Sequence, residues 1–201
     1  MTAIEIGRLL RAGTTGFVVG CRIDQFSLPS FGDLVQVPLD RDYQIYGLIY
    51  DMHVDDDGLV RQLVTSEVIE ETIIQDNRVN RNVPIEISVL SVGYEQDKRT
   101  YHLLPPRPPL SLDVIFSCNP DELCAFSKAG RFGYFRHILR ARDLPVGELL
   151  AAHLQKAQRA HVQIGNPMWV NDAIKELITL LRDDYAVLMS LLSTVGDAFN
   201  E

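Results

Sequence analysis

Leu104-Pro105-Pro106-Arg107-Pro108-Pro109 divides this 201-residue chain. Proline has no amide donor and holds φ near about −65°, so four prolines in five positions continue neither a sheet ladder nor a helix. The segment is expected to be extended and stiff. Before it the chain has the pattern of strands, and after it mainly that of helices. The reading is therefore an α+β protein: a small N-terminal β-barrel over residues 1–110, then a mixed, mostly α-helical region over 111–201 that ends in a helix hairpin.

Backward from the prolines, Arg99 to Leu104 and Pro84 to Gly93 read as strands joined by a polar turn at Glu95 to Lys98. Ile85, Ile87 and Val89 alternate with Glu86 and Ser88, the two-residue period of a half-buried strand. Gln44 to Met52 is rich in Ile, Tyr and Leu. Asp55-Asp56-Asp57-Gly58 then breaks it and Leu59 to Val64 resumes, a hairpin pattern because glycine accepts the positive φ of the turn. Asp33 to Val37 and Gly16 to Arg22 complete the strands. Ser66 to Gln75 reads as a short helix or ordered excursion, and Asn77 to Val83 as loop. Short strands separated by turns at intervals of roughly ten residues suggest a small barrel or sandwich.

Forward from the prolines, Leu112 to Ser117 is a short strand. Asn119-Pro120-Asp121-Glu122 then starts a helix: a capping Asn, proline at the first position, and acids facing the N-terminal dipole. That helix is expected to end near Gly130. Pro145 to Val162 gives a second helix with Leu149, Leu150, Leu154, Ala157 and His161 along one side. Gly165-Asn166-Pro167 ends it and starts the next. From Pro167 to Phe199 the sequence predicts one long helix. Ile174, Ile178, Leu181, Tyr185, Leu188, Leu192, Val195 and Phe199 follow a heptad rhythm. Leu177, Leu180, Val187, Met189 and Leu191 widen that face, which suits packing within the chain or self-association.

Hydrophobic residues make up 46% of the chain and charged residues 23%, which is ordinary for a globular protein and unlike a disordered one. The net charge of −8 argues against general nucleic-acid binding. The acidity is concentrated in the N-terminal part: up to Asp113 there are 17 acidic and 10 basic residues. Cys21, Cys118 and Cys124 fit neither a disulfide framework nor a zinc site, so free thiols in a reducing, cytoplasmic setting are expected. Met1 to Gly13 has no apolar signal-peptide core, and no apolar window is long enough to span a membrane.

Phe26-Ser27-Leu28-Pro29-Ser30-Phe31-Gly32-Asp33-Leu34-Val35-Gln36-Val37, followed by Tyr46-Gly47-Leu48-Ile49-Tyr50-Asp51-Met52, resembles the HAS-barrel. This is the N-terminal β-barrel shared by HerA-type DNA-translocating ATPases and the catalytic-ring subunits of rotary ATP synthases. Gly32-Asp33 and Gly47 to Ile49 fall where that family has a glycine-aspartate pair leading into a strand and then a glycine-led apolar strand. The resemblance spans about residues 4 to 110, with the proline run as the exit from the barrel. Gly32 suits a tight turn, Asp33 can bond local amides, and Leu34, Val35 and Val37 are expected in the core. In the larger relatives the barrel packs subunits around a ring or docks accessory proteins, so the resemblance implies an adaptor or assembly role. It does not extend to the motor. Gly130-Arg131-Phe132-Gly133 lacks the lysine and hydroxyl residue of a phosphate-cradling G-x-x-x-x-G-K-[ST] loop, and about 90 residues are too few for an ATPase core.

No other segment matches a catalytic motif. There is no G-x-S-x-G elbow. Cys118 or Cys124 could pair with His137 as a thiol dyad only if the fold brought them together. His53, His102, His137, His153 and His161 show no metal-binding spacing, so structural roles are expected. Asp51, His53, Asp55, Asp56 and Asp57 do not follow the EF-hand pattern and read as a solvated turn. Glu67, Glu70 and Glu71 read as a wet helix face. The chain is expected to be no enzyme and to use no cofactor or metal.

One segment stands out. Lys128 to Arg142 reads KAGRFGYFRHILRAR, with basic residues interleaved with aromatics and no acid. It has three readings. It is a strand over Phe132 to Leu139 whose arginines pair with the acidic first half, or a patch that docks an acidic protein surface, or a clamp for nucleic acid. Lys128, Arg131, Arg136, Arg140 and Arg142 are the candidate contact residues. The functional expectation is a non-catalytic protein-binding or assembly module within or beside an ATPase or DNA-processing complex, with self-association through the terminal helix. The alternative is a nucleic-acid-binding protein that uses the barrel and residues 128–142.

Overall fold

The computed structural model describes residues 4–21, 29–54, 64–65, 70–73 and 85–199. The turn expected at Asp55 to Gly58, its return strand up to residue 63, most of the excursion at 66–75 and the loop at 77–83 lie outside the described residues, as do Phe26 to Leu28 of the HAS-barrel-like stretch.

The strands are β1 (Glu5–Ala12), β2 (Gly16–Cys21), β3 (Leu34–Asp40), β4 (Tyr43–Val54), β5 (Ile85–Gln96), β6 (Arg99–Tyr101) and β7 (Val114–Ser117). All pairings are antiparallel, and the order β2-β1-β7-β3-β4-β5 closes on itself through β2 and β5. The result is a closed six-stranded barrel, with β6 paired to the end of β5, at Tyr94 to Gln96, beyond the part of β5 that pairs with β2. Closure pairs both edges of the six ring strands, which among the described residues limits the open edge on which another chain could pair to the short β6.

Two features depart from the sequence reading. β1 occupies the stretch before Gly13 where no strand was expected. Its register shifts between Glu5 and Gly7 and again between Leu9 and Arg11. Each irregularity breaks the two-residue period, so its inward residues Ile6 and Leu9 stand three apart. The second departure is β7, which lies beyond the proline run yet sits between β1 and β3 and completes the ring. The barrel therefore ends at Ser117 rather than near residue 110.

The barrel interior is filled by side chains such as Ile6, Phe17, Val35, Ile45, Ile87 and Ile115. A second core lies between the barrel wall and the helices, where Leu34, Tyr46, Leu48 and Val92 meet the helical side chains. β3 and β4 are thus buried on both faces. This is why Ile45 to Ile49 reads as an almost unbroken apolar run rather than an alternation.

The helices are α1 (Pro120–Lys128), α2 (Phe135–Arg140), α3 (Val146–Gln163), α4 (Trp169–Leu180) and α5 (Tyr185–Phe199), with a 3-10 turn at Ala129–Phe132. α1 starts as expected: Asn119 Oδ1 accepts from the amides of Asp121 and Glu122 at 2.9 and 3.0 Å, and the Glu122 carboxylate accepts from the Asn119 amide at 2.8 Å. This capping box satisfies amides that the helix itself leaves free. Glu122 also accepts from the Gln36 side chain at 2.9 Å, which fastens the helix start to β3. Leu149, Leu150, Leu154, Ala157 and His161 are all buried along α3. α3 ends at Gly165, where φ is +80°. There the Asn166 amide donates to His161 O and the Gly165 amide to Val162 O, a Schellman closure.

Two helical expectations are corrected. The strand over Phe132 to Leu139 is not formed. The backbone is left-handed at Gly130, Arg131 and Phe132, which turns the chain into α2. Tyr134, Phe135 and Ile138 are then buried at helical spacing. The single helix from Pro167 to Phe199 is broken at residues 181–184. Asp184 Oδ1 accepts from the Val187 amide at 3.2 Å, so Asp184 caps a new helix instead of continuing the old one. The buried seam is Trp169, Ala173 and Leu177, then Leu188, Leu191 and Val195. Tyr185 of the heptad series is 73% exposed. A continuous heptad count cannot survive an interruption of the helix.

The α3–α4 corner is fastened by the Gln158 side chain, which donates to Pro167 O at 2.8 Å and accepts from the Val170 amide at 3.1 Å. The His161 ring stacks on Trp169 at 4.5 Å between centroids.

The Gly32–Asp33 turn is the joint between barrel and helices. Gly32 has φ +81°, and the Asp33 carboxylate accepts from the Ser30 amide at 2.7 Å. Asp33 also forms an ion pair with Lys156 of α3. A Cβ on Gly32 would lie 2.8 Å from Ala152 Cβ and 3.0 Å from the His153 amide nitrogen. Gly165 has a similar φ but no atom within 4 Å of its would-be Cβ. Gly165→Ala is therefore expected to cost about 1 kcal/mol, the backbone penalty alone. Gly32→Ala is expected to cost about 2–4 kcal/mol, because a clash with α3 is added. Urea denaturation of the two variants checks the order.

Candidate functional site

The five basic residues of the 128–142 segment reach three different places. Lys128 at the end of α1 and Arg131 in the 3-10 turn are exposed and line a cleft of about 440 Å³ with Trp169, Asp172, Lys175 and Glu176 of α4. Arg136 turns inward, and its guanidinium donates to the backbone carbonyl of His102. Arg140 and Arg142 line a different cleft, of about 560 Å³, where the bend after α2 meets the β1–β2 turn. Left-handed turning at residues 130–132 is what separates the first pair from the second.

Arg11, Thr15 and Tyr50 line that second cleft beside Arg140 and Arg142. Sequence reasoning did not single them out. Their proximity arises only from barrel closure, and no local pattern around Arg11 announces it.

The segment's aromatics and the histidines around it tie the helices to one another and to His102 beside β6. Tyr134 is fully buried, and its hydroxyl lies 3.0 Å from His153 Nε2. Ser127 Oγ lies 2.9 Å from His161 Nε2. His102 Nε2 donates to Phe126 O at 3.1 Å, and His137 Nε2 donates to His102 O at the same distance. Each ring ties two segments together. Burial pushes His102 and His153 down to about 4, and lowers His137 and His161 as well. The Tyr134 hydroxyl is pushed up by burial. These groups are therefore neutral at pH 7 and act as hydrogen-bonding struts.

Among the described residues, Cys21, Cys118 and Cys124 form no disulfide. Burial raises Cys118 well above its ordinary value and raises Cys124, the direction opposite to that of a nucleophilic thiolate. Among the described residues, no group of three or more His, Cys, Asp or Glu is placed to hold a metal ion. Asp55 to Asp57 of the acidic turn lie outside them. No helix among the described residues is long and apolar enough to cross a membrane.

Neither a protein-family model nor a curated protein matches the chain.

The outer surface of α5 is the other candidate region. Leu188, Leu191 and Val195 face the core. Tyr185, Ala186, Met189, Ser190 and Ser193 are exposed, and no charged residue occurs from Tyr185 to Gly196. A surface helix ordinarily carries charges on its solvent side.

The buried histidines give a pH prediction. Their folded pKa lies below the unfolded value of about 6.5, so the unfolded chain binds more protons between that value and about 4. Their stabilising effect is complete above pH 6.5 and falls with acidification, by about 1.4 kcal/mol per pH unit for each such histidine. Urea midpoints measured from pH 7 to pH 5 are expected to fall less steeply for His153→Gln than for the wild type.

Proposed function

We propose that this chain is a non-catalytic assembly module that binds a protein partner through the outer face of α5. The observation that carries the reading is the uncharged surface of that helix, with Tyr185 73% and Met189 47% exposed. Exposed apolar surface on a helix is stabilised when a partner removes it from water. Ala186, Ser190 and Ser193 let a second helix approach closely, and Tyr185 and Met189 supply apolar anchors beside them.

Two further points support the reading. α5 is held against α3, where the Gln155 side chain donates to Ala198 O at 2.8 Å, so a partner would meet a prepared surface rather than a loose tail. The resemblance to the HAS-barrel also implies an assembly role, since that barrel packs subunits or docks accessory proteins in its larger relatives.

The test is light scattering of the purified chain combined with capture from host lysate, for the wild type and for Ser190→Glu/Ser193→Glu. These positions face solvent, so the variant is expected to fold with an unchanged urea midpoint. The expected result is an associated wild-type species, either with itself or with a stoichiometric partner, that the variant loses by at least about tenfold in affinity. A monomeric wild type whose captured proteins are the same as the variant's would refute the proposal.

A further inference from the structure

We infer that the cleft between the β1–β2 turn and the bend after α2 is a binding site for a small organic phosphate. This inference is independent of the role given to α5, which lines no part of the cleft.

Charge is the first argument. Arg11, Arg140 and Arg142 all line the cleft, and no Asp or Glu is among its lining residues. Such a cluster is unusual in a chain of net charge −8. Arg11 is already paired with Glu86 at 2.9 Å. Arg140 and Arg142 are exposed and form no ion pair among the described residues. Arg140 closes the last turn of α2, where a cation also suits the helix dipole. That role does not account for Arg142, which lies beyond the helix. Asp143 follows it in sequence but lines the neighbouring cleft with Phe31, Asp51 and Met52. The backbone at Asp143 is left-handed, with φ +61°, and Asp143 lines that neighbouring cleft while Arg142 and Leu144 on either side line this one.

Among the lining residues, Arg140 and Arg142 are thus two guanidiniums in addition to Arg11, whose charge Glu86 offsets. That complements a phosphomonoester, which carries about −1.5 to −2 near pH 7. Guanidinium forks match phosphate oxygens in pairs, which a single carboxylate would use only in part.

Shape and lining are the second argument. The volume of about 560 Å³ is in the range of small-molecule sites. Phe17, Tyr50, Leu90 and Leu144 give it an apolar wall, and Thr15 adds an exposed hydroxyl. A ligand with an apolar body and a phosphate head meets both parts of the lining. Inorganic phosphate meets only one.

The experiment is isothermal titration of the full chain at low ionic strength with phenyl phosphate, inorganic phosphate, phenol and single-stranded oligothymidylate. Phenyl phosphate is expected to bind saturably and more tightly than inorganic phosphate, and phenol not to bind. Its affinity is expected to fall as pH drops below about 6, where the second phosphate proton returns. Arg140→Ala/Arg142→Ala is expected to weaken phenyl phosphate at least about tenfold, with an unchanged urea midpoint. Arg142→Gln alone, which leaves α2 intact, is expected to weaken it by a smaller factor. Arg131→Ala, on the other cleft, is expected to leave it unchanged. Absence of saturable phenyl phosphate binding overturns the inference, as does equal binding by the double variant. Binding of oligothymidylate alone also overturns it, and would assign the arginines to a nucleic-acid backbone.

Discussion

Closure of the barrel by β7 is the constraint on which the rest of the structure depends. β7 pairs with β1 on one side and β3 on the other, so the ring is incomplete until the chain has passed the prolines and returned. The proline run is therefore a strap across the barrel rather than a linker to a separate unit. Arg107 pairs with Asp40 at 2.6 Å, the Leu112 amide donates to Leu9 O, and the Leu9 amide donates to Asp113 O. Prolines suit a segment that must lie against a barrel without joining its ladder. Because α1 begins immediately after β7, the same closure fixes where the helical layer starts. The Cys118 amide donates to Leu34 O, and Gln36 holds Glu122 of the capping box.

From that start the helices form a second core against the outside of β3 and β4. The Gly32–Asp33 turn provides a close approach, with glycine removing the side chain that would strike Ala152 and Asp33 holding Lys156. The buried imidazoles complete the contact. A buried polar ring costs free energy unless it is paired, and one nitrogen of His102, His153 and His161 is engaged with another segment. The His153 and His161 pairs fix the helices against one another, and the His102 pair fixes α1 against the barrel side. The consequence for function is that the uncharged side of α5 and the arginine-lined cleft are presented by a common scaffold.

Much of this was legible in the sequence, for local reasons. The Asn119 cap, the α3 face and the Gly165 terminus depend on residues within a few positions of one another, and each is found where the pattern placed it. Gly32, Asp33, Leu34, Val35 and Val37 behave as the turn and core residues they were read to be. What was hidden has non-local causes. β1 was masked by two register irregularities that disrupt its alternation. β7 was visible as a strand, but its neighbours lie about a hundred residues away and around the ring. In the 128–142 segment, Phe132, Tyr134, Phe135 and Ile138 satisfy both a strand and a helix pattern, and the left-handed turn decides between them. The meeting of Arg11 with Arg140 and Arg142 had no sequence signal at all. The break at Asp184 did have one, since an Arg-Asp-Asp stretch within an apolar helix offers a cap, but the heptad count ran through it.

The central claim is that barrel and helices form one cooperative body, so that the α5 face is a fixed surface. Native-state hydrogen exchange across a range of low urea concentrations tests this directly. The account predicts that the slowest amides of β4, β5 and α3 share one opening free energy and one denaturant dependence. Early exchange of the α3 and α5 amides, with the barrel strands still protected, would contradict it and make the helices a separately unfolding attachment.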